Sequence, residues 1–112
     1  MSIEQTRLVG VTFDNRQNTI KNINPMMDLL VPAREPENPY DHNAINVFVK
    51  KPNGNMYSVG YINRHLAAKL APQIDGGKTM HIMDFAVTGG ISNNLGVVLR
   101  YMINDPITYE KD

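Results

Sequence analysis

The sequence predicts a mainly β protein with one or two short helices, arranged as a small, partly open β-barrel. The chain has 112 residues, close to the commonest size of one domain. Short runs rich in valine and isoleucine alternate with Gly, Pro and Asn turn signals, which is typical of strands. One segment alone shows a clear helical period. The resulting order is two strands, a hairpin, a helix and two strands, which suits a barrel of the OB-like size.

The first half of the chain is predicted to hold two strands and a short helical turn. Residues 6–13 are rich in valine and leucine and form the first predicted strand. The polar segment 14–25 contains two isoleucines three residues apart, which indicates one amphipathic turn of helix. A second strand is predicted over residues 29–34. Pro36 and Pro39 then force an extended, rigid loop.

A hairpin and the main helix follow this loop. Residues 44–50 form a predicted strand with Ile45, Val47 and Val49 on one face, and residues 56–62 are its predicted partner. The turn between them contains Asn and Gly, which tolerate positive φ. Asn63 is a suitable N-cap for a helix. We expect Pro72 to interrupt that helix before two glycines close it.

Two further strands are predicted over residues 80–88 and 97–103. After them the chain is polar, and we expect residues 104–112 to form a frayed tail. The sequence therefore predicts a single domain over residues 1–112, with its core at about 6–103.

Composition narrows the classes of function. Eleven basic and eleven acidic residues give a net charge of zero, so the chain lacks the basic footprint of many duplex-DNA binders. Any affinity for nucleic acid must come from locally gathered basic groups together with stacking or end recognition. There is no cysteine, no run of ~20 apolar residues and no signal-peptide pattern at the start. We expect a cytoplasmic protein, nucleoid-associated in a prokaryote, with no membrane partner.

No catalytic or metal-binding constellation is evident. The Gly-Gly-Lys-Thr sequence at 76–79 lacks the upstream glycine of a phosphate-binding loop and follows a predicted helix. Nothing in the sequence indicates that Glu35 or Glu37 has the burial or the neighbours that tune a general acid or base. The three histidines are scattered and lack metal-ligand spacing. The sequence predicts a protein that is not an enzyme and uses no metal or cofactor.

The most unusual stretch is residues 31–47, in which Pro36, Pro39, Asn38 and Asn43 hold an aromatic residue and a carboxylate on one loop. Such a rigid loop at a barrel rim is where binding residues are often found. Residues 34–47 read Arg-Glu-Pro-x-Asn-Pro-Tyr-Asp-x-Asn-Ala-Ile-x-Val. With Val-Gly-Tyr-Ile at 59–62 and Leu-Ala-Ala-Lys-Leu-Ala-Pro at 66–72, this pattern resembles the signature of the HIRAN domain family. The resemblance runs from about residue 8 to residue 75.

The resemblance implies a modified OB-like barrel that binds nucleic acid. In eukaryotes such a domain stands at the front of fork-remodelling helicases and grips the 3′ end of single-stranded DNA, and free-standing forms occur in bacteria and phages. It therefore implies a module that recognises 3′-hydroxyl ends in DNA repair or replication, with a helicase or nuclease as a candidate partner. The alternative is a protein-interaction module that docks a DNA-processing partner through the same rim.

Four residues take family roles on this resemblance. Tyr40 and Phe13 match aromatic residues that pack against bases, and such stacking tolerates any sequence. Asp41 matches an acidic residue that accepts a hydrogen bond from the terminal 3′-hydroxyl. A carboxylate there welcomes a hydroxyl donor and repels a 3′-phosphate. Arg64 matches a basic phosphate contact at the start of the helix.

The chain also departs from the family at two places. Thr12 stands where some members have a basic residue, and the loop at 88–90 lacks an aromatic that adds a stacking platform in eukaryotic members. Arg16 is a candidate substitute for the phosphate contact. Tyr61, in the matching Val-Gly-Tyr-Ile segment, is a further candidate for the binding surface.

Structural interpretations of the same residues remain open at this point. Asp41 could cap the turn that leads into the next strand. Tyr40 could fill the edge of the core, and Phe13 could be partly core. Arg64 could be an ordinary solvated charge. Arg34 is expected to tie the proline-rich loop to the body of the protein.

Overall fold

A computed structural model of the chain describes residues 2–91 and 93–106. In these residues the structure has six strands and two helices: β1 (Glu4–Arg7), α1 (Arg16–Lys21), β2 (Leu29–Arg34), β3 (Ile45–Lys50), β4 (Met56–Tyr61), α2 (Arg64–Asp75), β5 (Thr79–Thr88) and β6 (Gly96–Asn104). The strands form two antiparallel sheets, ordered β1-β6-β5 and β2-β3-β4, that do not close into a complete barrel. The predicted class, a small, mainly β, OB-like open barrel, is confirmed. Of the predicted frayed tail, residues 107–112 lie outside the described residues.

The core lies between the two sheets and is built by strand alternation. In β3, Ile45, Val47 and Val49 are completely buried, at the alternate positions that the sequence predicted. Val97 and Leu99 meet them from β6, and the other buried apolar side chains join the same cluster. Each of these side chains contributes about 1.5–3 kcal/mol through removal from water. The core therefore fixes which face of each sheet turns inward.

The first predicted strand is wrong beyond its middle. β1 pairs with β6, and only a single further backbone pair, at Val9, prolongs this segment within the described residues. Gly10 then adopts a φ of 70°, and Asp14 and Asn15 adopt φ values of 54° and 63°. These left-handed φ values are incompatible with an extended strand and are tolerated by glycine, aspartate and asparagine. Phe13 therefore lies on the β1–α1 loop, exposed to solvent, and not in a strand.

The main helix does not stop at its proline. Asn63 accepts a hydrogen bond from the backbone N–H of Leu66 at 2.9 Å, which confirms the predicted N-cap. Contrary to expectation, α2 continues through Pro72 to Asp75. Pro72 lies at an exposed position in the last turn. Its missing N–H removes a single hydrogen bond of the helix, and only three helical residues follow it. Neither helix in the described part of the chain has the length and apolar character that a membrane crossing requires.

The two sheets are joined at one corner by backbone hydrogen bonds between Val9 and Tyr61, each 2.9 Å long. This close approach requires Gly60, whose φ is 155°. A Cβ at that position would lie 2.8 Å from the carbonyl oxygen of Val9 and 3.2 Å from the Cβ of Leu8. Glycine is thus needed for the backbone of Leu8 and Val9 to approach β4 this closely. The corner also forms part of the floor of the cleft described next.

Candidate nucleic-acid interface

An open cleft of about 920 Å³ lies where the β1–α1 loop, the β2–β3 loop and the start of α2 meet. Its walls include all six residues that the sequence analysis singled out: Phe13, Arg16, Tyr40, Asp41, Tyr61 and Arg64. These residues come from four separate parts of the chain. The fold therefore brings the predicted binding residues onto one surface, beside the corner at which the sheets join.

Two aromatic rings in this cleft face solvent. Tyr40 is 87% exposed and Phe13 is 65% exposed. The interpretation of Tyr40 as a residue at the edge of the core is therefore wrong, and Phe13 is mostly outside the core as well. Exposed apolar side chains that share one patch are typical of binding surfaces, and both rings line the same cleft.

The β2–β3 loop is held in shape by Asn38. Its side-chain oxygen accepts hydrogen bonds from the backbone N–H groups of Tyr40 at 2.9 Å and Asp41 at 3.2 Å. Its amide nitrogen donates to Glu35 at 3.0 Å. Asn38 thus fixes the backbone that carries the exposed tyrosine and the carboxylate. The sequence analysis missed this role, although an asparagine before Pro-Tyr-Asp is typical of a side chain that closes a turn on the following N–H groups.

Asp41 uses one carboxylate oxygen inside the loop. Its Oδ1 accepts a hydrogen bond from the backbone N–H of Asn43 at 2.9 Å, so the interpretation of Asp41 as a turn cap is confirmed. Within the described residues, no donor lies at hydrogen-bond distance from its Oδ2. The carboxylate therefore has an acceptor oxygen left for a ligand in the cleft.

A half-buried carboxylate lies beneath the loop. Glu35 accepts hydrogen bonds from the Tyr61 hydroxyl at 2.8 Å, from Asn46 at 3.0 Å and from Asn38. Burial acts to raise the pKa of Glu35, but these hydrogen bonds outweigh it and hold the pKa below its usual value. Burial and the hydrogen bond to this carboxylate also raise the pKa of Tyr61. Tyr61 therefore lines the floor of the cleft, and its hydroxyl points toward Glu35 and not toward a ligand.

Arg16 extends the network to the floor of the cleft. The residue is only 7% exposed. Its Nε donates to Ser58 at 3.1 Å, its Nη1 donates to the carbonyl of Gly10 at 2.8 Å, and its guanidinium lies 5.2 Å from the centre of the Tyr61 ring. A guanidinium held in this way is part of the scaffold. Any phosphate contact of Arg16 must involve Nη2, because its Nε and Nη1 already have partners.

Arg64 is the basic residue at the rim. It is the first residue of α2 and is exposed. No carboxylate of the described residues lies within ion-pair distance of it. Its guanidinium is therefore available to an anionic ligand at the mouth of the cleft.

Arg34 ties the proline-rich loop to the body of the protein, as the sequence predicted. Its guanidinium donates to the carbonyls of Ala44 at 2.8 Å and His42 at 3.0 Å, and it binds both carboxylate oxygens of Asp75 at 2.9 Å. A bidentate pair of this geometry limits the movement of both partners. The loop that presents Tyr40 is therefore braced at both ends.

A metal site is not found among the described residues, since no three His, Cys, Asp or Glu side chains there lie close enough together to hold a metal ion.

The low pKa of Glu35 gives the scaffold a testable pH dependence. Because the pKa is lowered on folding, this carboxylate stabilises the fold at pH values above its unfolded-state pKa. The contribution is lost as the pH falls through the folded-state pKa. We expect Glu35→Gln to lower the free energy of unfolding at pH 7 and to have a smaller effect at pH 3, as measured by urea denaturation at both values. Equal losses at the two pH values would contradict this assignment, and the exposed neighbour Glu37→Gln is the matched control.

The fold and the cleft are those of a small OB-like binding domain, and comparison with known proteins identifies its family. The family model described as "HIRAN domain" matches residues 5–103. The chain belongs to the HIRAN family of nucleic-acid-binding domains, which are typically non-catalytic binding modules.

A solved structure supports the fold. The chain is similar to a protein from Lactobacillus plantarum whose crystal structure superposes with a TM-score of 0.61 at 21% sequence identity. The match covers 92% of this chain and 99% of that one. At this level of identity the likeness concerns the fold alone. A comparison with curated proteins found no match.

Proposed function

We propose that this domain binds the 3′-hydroxyl end of single-stranded DNA. The observation that carries the proposal is the meeting of two exposed aromatic rings and a half-used carboxylate in one cleft. Rings without a fixed partner suit bases of any sequence, and a carboxylate suits a hydroxyl donor. The proposal therefore combines sequence-independent stacking with recognition of a chemical end.

Stacking supplies most of the affinity in this proposal. Each base that lies on an aromatic ring contributes about 1–3 kcal/mol, largely independent of base identity. Tyr40 and Phe13 come from different loops, so they offer two platforms to neighbouring bases at the end of a strand. The net charge of zero fits a ligand held by stacking more than by long-range attraction. Arg64 then contributes one phosphate contact at the rim.

Asp41 supplies the selectivity for the end. Its Oδ2 accepts a hydrogen bond from a terminal 3′-hydroxyl, whereas a 3′-phosphate brings negative charge against the carboxylate. An internal nucleotide is rejected for the same reason, because its 3′ oxygen carries a phosphate. One side chain thus distinguishes a free end from a blocked end or from the middle of a strand.

The test is a titration of short oligonucleotides with 3′-hydroxyl or 3′-phosphate ends at low salt. We expect the wild-type protein to prefer the hydroxyl end by more than about tenfold, since a hydrogen bond to a charged group is worth about 1.5–3 kcal/mol. Asp41→Asn should lose that preference. Asparagine keeps an oxygen for the N–H of Asn43, so the turn survives and only the charge and the second acceptor are removed.

Comparison of Asp41→Asn with Asp41→Ala separates the two roles of this residue. If the carboxylate only caps the turn, the asparagine variant binds like the wild type and the alanine variant does not. Equal affinity of the wild-type protein for the two kinds of end would rule out end recognition. No binding of any oligonucleotide, together with recovery of a protein partner through this cleft, would favour the alternative function as a protein-docking module, which the zero net charge supports.

A role in DNA repair or replication follows from the proposed ligand. Free 3′-hydroxyl ends arise when strands are cut, resected or extended, and helicases and nucleases act at the same places. A module that binds such ends without altering them would bring a partner of that kind to its substrate. Co-purification with a helicase or nuclease that depends on Tyr40 or Asp41 would support this role.

A further inference from the structure

Beside the end-binding residues, the cleft contains an ion pair that neither the family motif nor the proposed ligand accounts for. Asp14 Oδ2 lies 3.6 Å from Arg16 Nη2. The Asp14 side chain is 83% exposed, whereas the Arg16 side chain is 8% exposed. An open carboxylate thus faces a buried guanidinium at the edge of the cleft, and both residues line it.

Arg16 has one nitrogen to spare in this arrangement. Its Nε and Nη1 are used by Ser58 and Gly10, and Nη2 is the nitrogen nearest to Asp14. The nearby carboxylate of Glu35 is already engaged by three hydrogen-bond donors. Glu35 still acts on Arg16 through its charge, but among the described residues Asp14 is the carboxylate within ion-pair distance of Nη2.

Asp14 holds this place weakly. The separation of 3.6 Å is too long for a good hydrogen bond, and ion pairs with one exposed partner contribute about 0–1 kcal/mol. The residue also has a φ of 54°, in a loop where asparagine would fit equally well. A phosphate group carries at least one negative charge and can approach the same nitrogen from the cleft.

We propose that Arg16 Nη2 is a phosphate subsite and that Asp14 is its internal competitor. Asp14 occupies the position of the anion when the cleft is empty and must be displaced, or must share the guanidinium, when a phosphate arrives. The repulsion between Asp14 and a phosphate lowers the affinity of the cleft for the sugar-phosphate backbone of any nucleic acid. Together with Asp41, it increases the dependence of binding on stacking and on the free end, and this last point rests on the proposed function.

Two titrations test the proposal, and one of them does not require DNA. In the first, inorganic phosphate is added while the Nε resonance of Arg16 is followed by NMR. Asp14→Asn should bind phosphate at this guanidinium up to about fivefold more tightly than the wild type, since the lost ion pair is worth at most ~1 kcal/mol. In the second, oligonucleotides with a 3′-phosphate should gain at least as much affinity in this variant.

Glu37→Gln is the matched control, because it also removes one negative charge but lies on the β2–β3 loop outside the lining of this cleft. A gain in Glu37→Gln equal to that in Asp14→Asn would show a general charge effect and overturn the proposal. So would a phosphate response of Asp14→Asn at Arg64 with none at Arg16. If Asp14→Asn gains phosphate affinity but no variant distinguishes 3′ ends, the subsite stands and end recognition is wrong.

Discussion

Replacing both Tyr40 and Phe13 by alanine should nearly abolish binding of single-stranded DNA. Each single substitution removes one stacking platform and should weaken binding about 5- to 150-fold, the equivalent of ~1–3 kcal/mol. The effects should combine, because the rings lie on different loops and serve different bases. Fluorescence anisotropy with a short labelled oligonucleotide at low salt measures all three variants.

Stability measurements separate lost stacking from lost structure. Both rings are mostly exposed, so the free energy of unfolding should change little in either variant. Tyr57 is a suitable control, since it is a half-exposed tyrosine outside the cleft lining. Tyr57→Ala should bind DNA like the wild type. A comparable loss of affinity in Tyr57→Ala, or unchanged affinity in the double variant, would contradict the assignment of the cleft.

Gly60→Ala should destabilise the protein by about 3–5 kcal/mol, because it combines a strained φ with a steric clash. The added methyl group would lie 2.8 Å from the carbonyl oxygen of Val9, a backbone atom that cannot move without breaking the corner between the sheets. Urea denaturation measures the loss of stability. If Gly60→Ala had the same free energy of unfolding as the wild type, the sheets could meet at this corner without a glycine.

Gly54→Ala is the matched control for this prediction. Gly54 also has a positive φ, 91°, but no atom lies within 4 Å of the position of its missing Cβ. Its substitution should cost only the backbone strain, about 1–2 kcal/mol. The difference between the two variants isolates the clash at the corner, and Gly60→Ala alone should also weaken DNA binding, because the corner forms part of the cleft floor.

The sequence was a good guide to the β-strands whose apolar side chains alternate, such as β3, because burial of one face fixes their period. It was a poor guide where single residues decide the path. Valine-rich residues 9–13 resemble a strand, but Gly10 turns the chain out of the sheet. Pro72 signals the end of a helix, yet at an exposed position near the C-terminus it is accommodated.

The candidate site divides in the same way. The exposed Tyr40 and the half-buried Asp41 were found through a local motif, since they are neighbours in the chain. The supporting network was not, because Glu35 lies in the β2–β3 loop, Asn46 in β3 and Ser58 in β4, and these residues meet only after folding. Glu35 was set aside for want of burial and neighbours, and folding supplies both. The competitor Asp14 carries no sequence signal, since only its distance from Arg16 gives it a role.

The corner at Val9 and Tyr61 has a further consequence for how the protein responds to change. A ligand bound in the cleft contacts the β1–α1 loop and the β2–β3 loop, which are attached to different sheets. The ligand therefore links the two sheets across the corner. Occupancy then resists separation of the sheets, and thermal stability should rise with ligand concentration. By reciprocity, a substitution in the core of either sheet, remote from the ligand, can alter the affinity for the ligand if it weakens the contact between the sheets at this corner.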